Sequence, residues 1–190
     1  YLWDHPQKHQ TSRTLAHNTV LIDEKDQVTK ERGGEVHFFR TSEHVKVMEA
    51  SSRAYPTATL YRRTSALIEH GGGRNYVVDF FRVEGGKKQD YVFHAADVAC
   101  EITGRTATPA ALALYDFRRT RQLEGAEVWR AAWKVGAGQT CVAWNISQPG
   151  EHAFVADGWG QRDWKNSDVG ATLPYIVRRT SGHNPLIVSA

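Results

Sequence analysis

Cysteine, methionine and long apolar runs are scarce in this sequence. Its 190 residues include two cysteines and one methionine. Cys100 and Cys141 form no Cys-x-x-Cys pair, which excludes a zinc ribbon or a thioredoxin-type redox motif. Both lie in apolar, strand-like segments, so we expect buried free thiols, with a disulfide between them as the alternative.

No apolar run approaches the roughly 20 residues that a membrane-spanning helix needs. The chain starts at Tyr1 without an initiator methionine, and its only methionine is Met48. No charged leader precedes an apolar core, so a signal peptide is not expected in this segment. We interpret the sequence as a soluble piece of a longer protein.

The net charge excludes few classes of function, because 24 Lys and Arg residues and 21 Asp and Glu residues give a value of only +3. An anionic partner agrees with this value but is not identified by it. Nucleic-acid binding is not expected, since basic residues and aromatic residues do not interleave on one face. Basic pairs recur, and we interpret them as outward charges that keep sheet edges from pairing. The pairs include Arg62-Arg63, Lys87-Lys88, Arg118-Arg119 and Arg178-Arg179.

The periodicity predicts an all-β fold, because runs rich in Val, Ile, Thr, Tyr and Phe alternate between turns and a long helical pattern is almost absent. Gly71–Gly73 and Gly136–Gly138 supply the positive φ that tight hairpins need. Long antiparallel strands must cover their apolar faces, so we expect one antiparallel β-sandwich domain over residues 1–190. The predicted strands are Thr19–Ile22, Glu35–Arg40, His44–Ser51, Ala58–Ile68, Tyr76–Val83, Asp90–Phe93, Val98–Ile102, Glu127–Val135, Thr140–Asn145, His152–Val155, Thr172–Arg179 and Leu186–Val188.

One motif stands out: the run from Thr14 to Asp23 reads Thr-Leu-Ala-His-Asn-Thr-Val-Leu-Ile-Asp, so an alternating strand begins directly after an imidazole and an amide. Arg13 precedes it, and the strands Tyr61-Arg62-Arg63 and Tyr76-Val-Val-Asp79 follow. Together these segments resemble the C-terminal β-domain of the heparinase II/III-like polysaccharide lyases. The resemblance runs from about Tyr1 to the segment Gly158–Arg162 and the Pro174-Tyr175 strand.

The resemblance implies that the chain is the β-sandwich part of a lyase whose N-terminal α/α toroid is not in this sequence. Such a parent protein cleaves uronate-containing glycans by β-elimination. Its expected partners are an acidic polysaccharide and the missing helical domain, with no nucleic acid and no membrane, and its expected location is periplasmic or secreted. Because the family's main catalytic Asn, His and Tyr belong to the toroid, this chain alone is expected to be inactive.

His17 is the first candidate site residue. In the family the His of the Ala-His-Asn-Thr motif ligates zinc in several members, so the resemblance implies a metal ligand at His17 in the intact protein. The other ligands, an earlier His and an Asp, have no counterpart here, and one ligand does not make a tetrahedral site. From the residues alone, a histidine hydrogen-bonded at a strand start is the alternative.

Tyr1 is the second candidate. Family members active on alginate carry a Tyr shortly before the motif as a proton donor or acceptor, and Tyr1 stands 16 residues before His17. A phenol whose pKa is lowered by cations suits β-elimination, which removes the C5 proton and protonates the departing O4. An aromatic residue packed at a domain boundary is the alternative. His94 is expected to be structural.

A second class of function stays open, a non-catalytic β-sandwich that binds carbohydrate or braces an assembly. The sequence does not identify the glycan, since the contacts that distinguish uronates are expected largely in the missing domain.

Overall fold

The computed structural model describes residues 10, 12–96, 99–110, 115–136, 138–163, 165, 167–182 and 186–189. A short 3-10 turn at Thr14–Ala16 precedes twelve strands. The strands are β1 (Val20–Ile22), β2 (Gly34–Thr41), β3 (Val45–Ser52), β4 (Ala58–Glu69), β5 (Asn75–Gly85), β6 (Lys88–His94), β7 (Cys100–Pro109), β8 (Arg118–Gly136), β9 (Gln139–Ile146), β10 (His152–Trp159), β11 (Thr172–Ser181) and β12 (Leu186–Ser189).

All pairings are antiparallel, and the strands follow the order β1-β6-β11-β10-β8-β9-β12-β5-β4-β3-β2, with β7 paired to β8. The long strand β8 joins two layers. Its first part pairs with β10 at Leu123, and its second part pairs with β9 from Val128 onwards. We call β1, β6, β11, β10 and the first part of β8 sheet A, and the remaining strands from the second part of β8 to β2 sheet B. The predicted antiparallel β-sandwich is confirmed.

Two glycines mark the place where the β7–β8 hairpin passes between the layers. The register of β7 shifts between Thr103 and Arg105, and Gly104 and Gly125 both have positive φ, at 89° and 141°. A Cβ atom on Gly125 would lie 2.7 Å from the carbonyl oxygen of Gly104. No larger residue fits this close backbone approach, which accompanies the bulge and bend of the hairpin.

The core lies mainly between the two sheets. One cluster joins Val20, Ile22 and Tyr91 of sheet A to Tyr61 and Phe81 of sheet B. A second cluster surrounds the two fully buried tryptophans of β8, with contributions from both sheets: Leu123, Trp129, Ala131, Trp133, Ala143, Ala153, Val155 and Ile176. Burial of this apolar surface between facing sheets is the main source of stability in such a fold.

Sheet A is also covered on its second face. Leu15, Phe154 and Tyr175 belong to a third cluster, against which Tyr115 and Phe117 pack. Consequently eight consecutive residues of β11, Leu173–Thr180, are buried. A strand that is buried on both faces has no outward position for a charged side chain.

The interpretation of Arg178-Arg179 as outward charges is therefore wrong. Arg178 is fully buried and paired with Glu151, with a distance of 2.8 Å from Nη2 to Oε2. Arg179 is buried on the opposite face, where its Nε and Nη2 atoms each donate to Asp90 at 2.7 Å. Alternation does separate the two side chains, but both faces of the strand are interior.

Both cysteines are free thiols. Cys100 and Cys141 both lie opposite Trp133, one on each side of β8. Two strand spacings separate their Cα atoms by roughly 10 Å, whereas a disulfide needs about 4.4–6.8 Å. The expectation of free thiols is confirmed, but both side chains are half-buried rather than buried. This partial burial raises the pKa of Cys100 to about 12.

Candidate functional site

His17 stands at the start of sheet A. The turn Thr14–Ala16 ends in the hydrogen bond from the His17 amide to the Thr14 carbonyl oxygen, at 3.1 Å. His17 itself is extended, with φ −126° and ψ 154°, and its side chain is exposed. Three residues later β1 begins with buried Val20. The fold therefore presents this imidazole at the surface while it buries the strand that follows.

Asn18 extends the pairing between β1 and β6 with its side chain. Its Nδ2 atom donates to the His94 carbonyl oxygen at 3.2 Å, and its Oδ1 atom accepts from the His94 amide at 2.9 Å. This reciprocal pair replaces two main-chain bonds of the ladder, which otherwise continues at Val92, whose amide donates to the Thr19 carbonyl oxygen. Asn18 thus fixes the segment that carries His17 to the end of β6.

His94 is held by its neighbours. Its Nε2 atom lies 3.1 Å from the Ala16 carbonyl oxygen, and its ring packs on Tyr175 with centroids 4.4 Å apart. Burial lowers the pKa of His94, the contacts with the carbonyl oxygens of Ala16 and Ala95 oppose this shift, and the charge of Arg162 lowers the pKa further. A neutral ring that donates through Nε2 to Ala16 fits these contacts, and they are the contacts of a structural histidine.

Arg63 joins sheet B to the same segment. Its Nη1 atom donates to the Asn18 carbonyl oxygen at 3.0 Å, while Nε and Nη2 bind both carboxylate oxygens of Asp79 at 2.7 and 2.8 Å. Ser65 and Tyr91 also donate to Asp79, at 3.1 and 3.3 Å. This is a bidentate pair with additional donors, the strong form of the interaction. We call His17, Asn18, His94, Arg63 and Asp79 the corner.

The described tyrosines around the corner are unsuited to proton abstraction. Burial raises the pKa of Tyr91 and of Tyr175, each to about 12, and burial also raises the pKa of Tyr61. The Tyr61 hydroxyl donates to the Val20 carbonyl oxygen at 2.6 Å. These phenols stay protonated at neutral pH and serve as hydrogen-bond donors in the core.

Sheet B continues past the corner. Tyr61 contacts Val20 and Arg63 contacts Asn18, so the part of β4 beyond Arg63 extends past the start of β1. On the same face, Met48 lies opposite Ser65 and Phe39 lies opposite Met48.

Sheet A does not cover these positions. Phe39 is 58% exposed, Met48 46% and Val77 of β5 48%. We call the inner-face residues Val36, Phe39, Met48 and Val77 the overhang. It is an apolar surface on the part of sheet B that extends past Asn18, the residue next to the exposed His17.

The two predicted site residues have different outcomes. Tyr1 lies outside the described residues. His17 is at the corner, but within the described part of the chain no three His, Cys, Asp or Glu side chains are grouped so that they could hold a metal ion. The described residues therefore offer a zinc ion one imidazole and do not by themselves fit a zinc site.

Sequence reasoning missed the ion pair of Arg63 and Asp79 and the role of Asn18. Arg63 was grouped with Arg62 as surface charge, although their alternation places them on opposite faces. Arg62 lies on the outer face of sheet B, near Glu49. The alternation around buried Phe81, which lies opposite Arg63, is the signal that places Arg63 on the inner face.

No helix among the described residues is both long and apolar enough to cross a bilayer. No curated protein matches the chain.

Among solved structures, the fold is similar to that of the heparan sulfate lyase HepC from Pedobacter heparinus, with a TM-score of 0.51 and 11% sequence identity. The match covers 96% of this chain and 24% of HepC, so the chain spans about a quarter of that protein. At this identity the similarity shows the fold alone. The profile of the family described as "Heparinase II/III-like, C-terminal" matches residues 2–163. The chain therefore belongs to the heparinase II/III-like C-terminal family.

Proposed function

We propose that this chain is the β-sandwich part of a polysaccharide lyase that cleaves uronate-containing glycans by β-elimination and borders the substrate cleft. The proposal rests on the membership of the heparinase II/III-like C-terminal family. The corner supports it, because the residues that match the family motif form an exposed edge beside an apolar surface. That arrangement suits a boundary between two domains better than a closed active site.

The chemistry requires groups from outside the described residues. β-Elimination removes the C5 proton of the uronate and protonates the departing O4. The nearby tyrosines Tyr61, Tyr91 and Tyr175 are held protonated, and Arg63 is committed to Asp79. Tyr1 and His17 are the residues of this chain that we propose contribute to the reaction, while a preceding helical domain supplies the main catalytic groups. The chain alone is then inert.

The overhang is the surface against which that helical domain packs. Three of its side chains, Phe39, Met48 and Val77, are apolar and close to half exposed. Apolar patches of this kind mark interaction sites in soluble proteins. The position past Asn18 supports the assignment, since a domain packed there would come close to the segment that carries His17.

Turnover by a longer protein that includes this chain tests the function. Unsaturated uronate, detected by its ultraviolet absorbance, should appear from heparan sulfate or alginate with the longer protein and should not appear with residues 1–190 alone. Phe39→Asp should reduce turnover of the longer protein by placing a charge in the domain contact, whereas Val169→Asp, at an exposed position outside the overhang, should not. Turnover by the 190-residue chain, or no turnover by the longer protein on any uronate glycan, would contradict the proposal.

We propose zinc binding only for the longer protein that includes this chain. His17 supplies one ligand, and the remaining ligands must come from residues outside those described. Elemental analysis of the longer protein should give stoichiometric zinc that His17→Ala removes, together with a lower melting temperature. Wild-type protein that carries no metal after purification without chelators would contradict the ligand role.

We also propose a periplasmic or secreted location, since polymeric acidic glycans are found outside the cytoplasm. Fractionation of cells that express the native gene, with an enzymatic marker for each compartment, tests this. A purely cytoplasmic distribution would contradict it.

A further inference from the structure

Trp144 is unusually exposed for a tryptophan. It lies on β9, on the face of sheet B that points away from sheet A, and 50% of it is accessible. Trp129 and Trp133 on the neighbouring strand β8 face the core and are at most 1% exposed. Burial of an indole is a large favourable contribution, so an indole left on a sheet face suggests a ligand.

The neighbours of Trp144 give this surface a defined character. Arg130 of β8 lies opposite Trp144, and its guanidinium carbon is 6.0 Å from the centroid of the indole ring. The next pair on the same face is Val128 and Ile146, which are 51% and 43% exposed. An aromatic ring, a guanidinium and aliphatic side chains therefore share one exposed area.

The cations beside Trp144 have no anionic partner. Within the described residues, Arg130 makes no hydrogen bond or ion pair through its side chain, and neither does Lys134, which lies on the same face of β8. By contrast, the arginines further along the outer face, Arg62 and Arg82, are both paired with Glu49. Glu101 of β7 lies opposite Ala132 on the same face but forms no ion pair with Arg130 or Lys134. The two cations are therefore available to a ligand.

An acidic sugar matches these groups. The C–H face of a pyranose ring is apolar and flat enough to lie on an indole, where both surfaces lose contact with water. A guanidinium over an aromatic ring is weakly hydrated and keeps its N–H donors directed to the side. Those donors bind a carboxylate or sulfate in bidentate geometry, and Lys134 adds a second charge along the strand.

We propose that Trp144, Arg130 and Lys134 form a binding surface for an acidic polysaccharide on the outer face of sheet B. The surface lies on the opposite side of the sheet from the corner and the overhang. The ligand class rests on the proposed function, while the location rests on the exposed indole and its unpaired cations. The surface holds the polymer at a distance from the cleavage site and does not take part in the reaction.

Calorimetric titration of the 190-residue chain with heparan sulfate and alginate oligosaccharides of defined length tests the proposal. Trp144→Ala and Arg130→Gln should each weaken binding at least tenfold, which corresponds to about 1.4 kcal/mol. Trp144→Tyr should keep most of the affinity, because a phenol ring still offers a stacking surface. Thermal melts of each variant check that the fold is retained.

Two control variants distinguish specific binding at this surface from non-specific electrostatic binding. Arg74→Gln removes the same charge at the exposed hairpin Gly71–Gly73, and Phe39→Ala removes an exposed aromatic residue from the overhang. Neither should change the affinity more than twofold. Equal losses from Arg74→Gln and Arg130→Gln, with no loss from Trp144→Ala, would mean non-specific electrostatic binding and would overturn the proposal.

Two further results would overturn it. One is the absence of binding by the wild-type chain to both glycans. The other is a dimer in light scattering that Trp144→Ala dissociates without any change in glycan affinity, because the face would then be a contact between copies. Turnover of short oligosaccharides by the longer protein should be the same with Trp144→Ala as with wild type. Failure of the proposed lyase activity would therefore appear in that assay and not in the titration.

Discussion

Replacing Arg178 with methionine should be among the most destabilising single changes in this chain. The side chains of Arg178 and Glu151 are both fully inaccessible to solvent. Besides the two bonds to the Glu151 carboxylate at 3.0 and 2.8 Å, the guanidinium donates to the carbonyl oxygens of Ile146 at 2.6 Å and of Val188 at 2.8 Å. One side chain of sheet A thus holds main-chain atoms of two strands of sheet B.

The expected loss follows from what the substitution leaves behind. Methionine fills much of the space but donates nothing, so the Glu151 charge stays buried without its partner. Removal of one member of a buried ion pair costs about 3–5 kcal/mol. The two carbonyl oxygens that lose their donor move the loss toward the upper end of that range. Since a domain is stable by about 5–15 kcal/mol, this change removes a large share, and the melting temperature should fall by roughly 10–15 °C.

Urea denaturation followed by the fluorescence of the buried tryptophans measures the loss. Arg178→Lys should be nearly as damaging, because one ammonium group cannot span the carboxylate and both carbonyl oxygens. The double variant Arg178→Met with Glu151→Leu should recover part of the stability, since apolar residues often replace a buried pair at little cost. A loss below about 1 kcal/mol for Arg178→Met, or a double variant that loses the sum of the two single losses, would refute this reasoning.

Three other changes test the remaining features. Asn18→Ala removes both the donor to the His94 carbonyl oxygen and the acceptor of the His94 amide and should cost about 1–3 kcal/mol, with faster hydrogen exchange at the His94 amide; unchanged exchange would contradict the pairing. At pH 8, alkylation of Cys100 followed by mass spectrometry should be slow in the folded chain, because a pKa of about 12 leaves almost no thiolate, and rapid modification without unfolding would contradict its burial. The hydrogen bond from Thr64, and then the charges of Arg82 and Arg62, hold the pKa of Glu49 below its usual value of 4.5. Its stabilising contribution is therefore present above that value and lost as the pH falls below it, so thermal melts should show Glu49→Gln less stable than wild type at pH 7 and equal to it near pH 2.

The strand pattern was predictable because period-two alternation and hairpin glycines are local signals. All twelve predicted strands are present, although Val98 lies outside the described residues and β7 begins at Cys100. The start of β8 was missed: Arg118–Ala126 is polar apart from Leu123, which is buried. This segment is a strand because β7 and β10 pair with it on its two sides, and such distant pairings leave no local signal.

The candidate site was likewise predictable only where the signal is local in the sequence. The His17-Asn18 motif could be recognised from the sequence, and the structure places it at an exposed edge. What Asn18 does depends on His94, 76 residues away in the chain, and on Arg63, 45 residues away. A basic pair likewise looks the same in sequence whether its strand is covered on one face or on both. The burial of Arg178 and Arg179 follows from the second covering of sheet A, which only the tertiary structure reveals.

The two sheets differ in a way that bears on both proposals. In sheet A the strands β6, β10 and β11 are enclosed on both faces, whereas most of the large apolar side chains that are exposed lie on sheet B. Of the twelve such residues among those described, four form the overhang on its inner face and five lie on its outer face, namely Tyr76, Val128, Trp144, Ile146 and Leu186. Because one sheet separates these two groups, no single partner of ordinary size covers both. The inner group lies where sheet B extends past Asn18, and the inner-face cations described beside it, Lys46 and Arg63, are both paired, which suits a protein domain. The outer group carries the unpaired Arg130, which suits an anionic ligand. Phe39→Asp should therefore impair turnover of short oligosaccharides by the longer protein without weakening glycan binding by this chain. Trp144→Ala should weaken glycan binding by this chain and leave that turnover unchanged; parallel effects of the two variants would contradict the division.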